Sequence, residues 1–175
     1  MRLEQGQVLP PRAATMLRLH YALVLLIVLL GICAWLPEAE GRLWPVRGAN
    51  LLTALYLWHL AGLYMAPVFS LAGSANVAAG GRAEGGEEET GVAPGLGIAL
   101  CIPLFAAAAA LLLPLAAGAT MLLLAVLVFA GIEHLPSQRR LWPVPWLAAR
   151  RQQTQLLVVA LASAAVAVWS VGQSY

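Results

Sequence analysis

Three histidines and one glutamate are the residues of this 175-residue chain whose types and positions could do chemistry. His59 lies near the middle of an apolar run, in Leu57-Trp58-His59-Leu60. Tyr56 and Tyr64 flank it at helical spacing, and Ala61 and Gly62 leave room for a close neighbour. Glu133-His134 closes a later run, and His20 opens the first. Ionisable side chains inside apolar segments are costly to keep there, so each is a functional candidate. A contact between His20 and Glu133-His134 could relay protons, bind a metal or help hold a quinone headgroup. The plainer alternatives are that His20 and His134 sit wet at an interface, and that His59 bonds a tyrosine or a carbonyl.

Several chemistries are excluded. Haem ligation needs two histidines at one depth on facing helices; only His20 and His134 qualify, both near an edge, so no cofactor is expected. There is no HExxH, no GxSxG, no CxxC and no glycine-rich phosphate loop at a helix start. All ten basic residues are Arg and all eight acidic ones Glu, which leaves no Lys or Asp for Schiff-base or aspartyl chemistry. Cys33 and Cys101 fall in different runs at different depths and read as free thiols acting as small apolar groups. No catalytic residue or metal site is assigned, and a net charge of +2 offers nothing for nucleic acid.

The elements that must position these residues are five apolar runs, at about 17–36, 51–72, 96–115, 121–135 and 154–171. About 20 helical residues cross the hydrocarbon core, where only a helix satisfies the backbone of an open chain. With 61% hydrophobic and 10% charged residues, the chain reads as an all-α polytopic transmembrane bundle of about five spans, forming one domain. The 96–135 stretch is the weak point of that count. Pro114 and Gly118 offer its one plausible turn, a tight hairpin. The stretch 74–92, with five glycines and four glutamates, reads as a mobile acidic loop.

Arginines set the orientation, since positive loops stay cytoplasmic. A cytoplasmic N-terminus with five spans puts eight arginines inside and two outside. The N-terminal arginines resemble a signal peptide, but no small-residue cleavage site follows the run, which reads as a retained span.

One motif recurs. Gly31-Ile32, Leu36-Pro37 and Arg42-Leu43-Trp44-Pro45-Val46 return as Gly131-Ile132, Leu135-Pro136 and Arg140-Leu141-Trp142-Pro143-Val144. The two copies face opposite sides, so two hairpins could form an inverted pair around the third span, as in many transporters. Interfacial chemistry alone also accounts for the motif, with Arg42, Trp44, Arg140, Trp142 and Trp146 as anchors. The expected role is a non-catalytic accessory or assembly subunit in a bacterial inner membrane. It would contact lipid, and other subunits or its own copies. The alternative is a small oligomeric transporter or channel with a His/Glu polar path; a membrane enzyme ranks third.

Overall fold

The computed structural model describes residues 11–36, 39–78, 95–135 and 144–170, and these form five helices and no strand. They are α1 (Pro11–Cys33), α2 (Ala39–Ala78), α3 (Gly95–Ala110), α4 (Leu115–Glu133) and α5 (Val144–Trp169). Three of them contain stretches long and apolar enough to cross a membrane: Ala14–Cys33, Leu115–Glu133 and Val144–Trp169. The described part of α3 contributes a shorter apolar helix, Ala99–Ala110.

Local chemistry explains the ends. Pro11 stands first in α1, where its missing N–H bonds nothing anyway. Between α3 and α4 the chain turns in four residues, Leu111 to Pro114. Pro114 takes an extended conformation (φ −52°, ψ 146°), and its carbonyl accepts the Gly118 N–H at 2.7 Å, which starts α4. The expected hairpin at Pro114 is therefore present as a turn between two helices.

Side-chain contacts fix the directions of the helices. Tyr21 meets Gln152, Gly31 meets Ala160 and Trp35 meets Ser163, so α1 and α5 run parallel. Asn50 meets Leu115 and Tyr64 meets Glu133, so α2 and α4 also run parallel. His20 lies against His59 while Leu30 lies against Gly48, so α1 and α2 are antiparallel. α4 and α5 are thus antiparallel as well, and the α1–α2 and α4–α5 connections lie at opposite ends of the bundle.

Two glycines set the close approaches. A Cβ on Gly31 would stand 3.0 Å from the Ala160 carbonyl oxygen, and one on Gly118 only 2.5 Å from that of Ala110. Small residues at crossings let backbones touch, which is how helices gain contact energy in lipid. The core is apolar, built on Ile27, Tyr56, Leu57, Leu60, Leu122, Phe129 and Leu157. So is much of the outside, with Leu29, Ile32, Phe105, Leu124 and Val159 all exposed. An apolar exterior around an apolar core fits a helical membrane protein and not a water-solvated bundle.

Helix boundaries differ from the sequence reading in one consistent way. The basic segments flanking the second and fifth runs are helical: α2 starts at Ala39 and α5 at Val144, each about ten residues early. In α2 the helix sets Trp44 and Arg47 three residues apart on one face, with the guanidinium 5.7 Å from the ring centre. In α5 the early start carries Arg150 into the bundle. The acidic stretch is helical through Ala78, and the rest of it lies outside the described residues.

Candidate functional site

The buried face of α5 runs Trp146, Arg150, Gln153, Leu157, Ala160, Ala164 and Val168, at steps of three and four. This is the periodicity of an inward helix stripe. Two polar residues sit in that stripe, and their partners come from the helices facing it.

Arg150, 2% exposed, donates through Nε to Glu133 Oε1 at 2.9 Å. Its Nη1 donates to Gln153 Oε1 at 2.8 Å and also reaches the Tyr56 hydroxyl. Tyr56 donates to Gln153 Oε1 at 2.9 Å, and Tyr64 donates to Glu133 Oε1 at 2.7 Å. Tyr64 also packs edge-on against Phe129, ring centres 5.4 Å apart. Three helices, α2, α4 and α5, therefore meet at one neutral ion pair. A buried charge is tolerable only when paired and bonded in this way.

His20 lies beside this network, 3% exposed. Its ring centre is 5.6 Å from Tyr56, 5.2 Å from His59 and 6.0 Å from Trp146, all in edge-to-face geometry. Neither of its nitrogens has a hydrogen-bond partner among the described residues. His20 is thus a buried residue, not a wet interfacial one. The sequence placed His20 and Glu133 at one depth; in the structure Tyr56, which packs against the His20 ring, and Arg150, which bonds both Tyr56 and Glu133, link the two.

Tyr56 and Tyr64 turn inward to the ion pair, whereas His59 lies on the exposed side of α2 next to Trp58, one ring edge against His20. At ~100° per residue, position 59 falls at the edge of the face that 56, 60 and 64 share, about 60° from 56 and about 140° from 64. His134 is exposed, with Nδ1 2.7 Å from the Ala130 carbonyl oxygen. It lines a cleft of about 300 Å³ at the end of the bundle with Glu133, Val144, Leu147, Ala148 and Arg151.

The interfacial residues separate. Trp44 is 74% exposed, whereas Trp146 is 4% exposed and packs inside the bundle beside His20. Its place in the α5 stripe, one turn before Arg150, takes it inward. Arg42 lies in the first turn of α2, and Arg140 and Trp142 lie outside the described residues. Cys33 and Cys101 are free thiols. For a metal, His20 and His59 are the neighbouring ligand pair; no group of three His, Cys or Glu occurs among the described residues.

Sequence reasoning missed Arg150 and Gln153, which both fall in the gap between the fourth and fifth apolar runs. The signal was present in the phase of Trp146, Arg150, Gln153 and Leu157. Chemically the cluster holds helices together. A guanidinium does not give up its proton, so Arg150 interrupts any proton wire between His20 and Glu133.

The fold and site define a helical bundle of membrane character with a buried ionic layer near one end. The chain matches no family model, and no curated protein or solved structure is similar to it.

Proposed function

We propose that the chain is a non-catalytic integral subunit of a larger membrane assembly, spanning a bacterial inner membrane five times with a cytoplasmic N-terminus. The helix directions support five crossings, and the arginine distribution supports the orientation.

The observation that carries the subunit role is His59. It is exposed on α2 and touches His20. His20 lies six residues inside the apolar stretch Ala14–Cys33, about 9 Å along the axis at ~1.5 Å per residue. At that depth acyl chains give an imidazole no hydrogen-bond partner, and a polar group facing them is expensive. A helix of another subunit carrying a donor or acceptor supplies what lipid does not. Arg150 meanwhile bonds Glu133, Tyr56 and Gln153, which makes the ion pair a structural tie between helices.

The test is retention of a stoichiometric partner after mild detergent extraction, compared between wild type, His59→Leu and the lipid-face control Leu124→Ala. Selective loss of the partner in His59→Leu supports the reading. A chain that runs alone, with His59→Leu as stable as wild type, contradicts it.

One observation favours a transporter as the second reading. The hairpins α1–α2 and α4–α5 turn at opposite ends, and α1 with α5, like α2 with α4, run parallel, the arrangement an inverted repeat gives. Substrate flux in proteoliposomes that disappears in Glu133→Gln would favour it.

A further inference from the structure

We infer that the cleft between the end of α4 and the start of α5 binds a phosphoethanolamine group. The inference rests on the membrane character of the helices and not on the subunit role, so loss of a protein partner leaves it standing.

The cleft is placed where headgroups lie. Glu133 is the last residue of one candidate span and Val144 the first of the next, and both line it. Its volume of about 300 Å³ suits a headgroup and not a whole lipid. Val144, Leu147 and Ala148 give it an apolar wall on the first turn and a half of α5.

Its polar groups are of two kinds on opposite helices. Glu133 is 5% exposed, and both bonds it accepts from the described residues fall on Oε1. Its second oxygen is the acceptor left for a ligand, in a carboxylate whose charge Arg150 already balances. A neutralised carboxylate still wants an N–H donor. Across the cleft, Arg151 is exposed and makes no ion pair among the described residues, so it is the group that attracts an anion. His134, whose Nδ1 lies 2.7 Å from the Ala130 carbonyl oxygen, also lines the cleft.

A ligand matching this pair carries an ammonium with N–H bonds and a phosphate a short link away. A trimethylammonium headgroup has no N–H to offer Glu133. A phosphoglycerol headgroup satisfies Arg151 but offers Glu133 a neutral hydroxyl donor, a weaker partner for a carboxylate than an ammonium N–H. The same phosphoethanolamine chemistry could come from a bilayer lipid or from a soluble molecule.

Thermal stability of the delipidated full-length protein in maltoside detergent separates these cases. Phosphatidylethanolamine, phosphatidylcholine and phosphatidylglycerol with identical chains are added in turn, and soluble phosphoethanolamine separately. Phosphatidylethanolamine should raise Tm by roughly 3 °C, and the other two lipids by under ~1 °C. The shift should vanish in Arg151→Gln and in Leu147→Trp, which fills the cleft; Ala148→Leu replaces the latter should it not fold. An equal shift from soluble phosphoethanolamine assigns the site to the free molecule, and none assigns it to lipid; both support the inference. Equal shifts from all three lipids, a larger one from phosphatidylglycerol, or a shift that survives both substitutions overturns it.

Discussion

Arg150 on α5 and Glu133 on α4 form a direct buried ion pair, Nε to Oε1 at 2.9 Å, with side chains 3% and 5% exposed. They stand 17 positions apart in the chain. Tyr64 of α2 donates to the same carboxylate oxygen, so the pair ties the α4–α5 hairpin to a third helix. Elsewhere the contacts between helices are largely apolar, and in lipid such contacts give little orientation. A bonded ion pair has one geometry. It fixes the rotation of α5 about its axis and the height of α2 against α4.

The glycine contacts predict opposite outcomes at two glycines of one helix. Gly118→Ala puts a Cβ 2.5 Å from the Ala110 carbonyl oxygen, so the α3–α4 hairpin must open. Overpacking of this kind costs about 1–3 kcal/mol. Gly131, with nothing within 4 Å of a new Cβ, should tolerate Ala or gain up to ~1 kcal/mol of helix propensity. Thermal unfolding in one detergent compares the two.

His20 should be replaceable by a residue of similar size without polarity. Both ring nitrogens lack a hydrogen-bond partner among the described residues, so His20→Phe removes two buried polar atoms and leaves no donor stranded. The expected Tm is equal to wild type or higher. A large loss would mean that the imidazole bonds a group outside the described residues.

Much of the fold was legible because it follows from length and polarity. The five runs are five helices in the same order, and Pro114 with Gly118 was readable as the one plausible turn in a long apolar stretch. Boundaries beside charge were not. Arg150 reads as a loop residue on hydropathy, because it opens the polar string Arg150-Arg151-Gln152-Gln153. Only its phase with Trp146 and Leu157 shows that it points inward, and only a carboxylate on another helix makes that affordable. Glu133, His20 and Tyr56 were legible as candidates through their rarity. The inward or outward sense of His59 was not, since a run that is apolar on every side has almost no moment to orient it.

Crossing topology is checked by single cysteines in a Cys33→Ser, Cys101→Ser background. Leu112→Cys in the α3–α4 turn and Leu135→Cys after α4 lie at opposite ends of α4. In intact cells an impermeant maleimide should label the first and not the second. Labelling of both, or of Leu135→Cys alone, contradicts the proposed threading.

The most direct test of the central claim, that this bundle is organised around the Arg150–Glu133 pair, is a double-mutant cycle. Arg150→Met and Glu133→Gln should each cost about 3–5 kcal/mol, because each strands a buried polar partner. The double variant Arg150→Met/Glu133→Gln should recover at least ~1 kcal/mol of the summed loss, since neither charge then remains. Unfolding free energies in one detergent at one pH give all four corners. A double variant as unstable as the sum of the singles, or single variants as stable as wild type, would contradict the account.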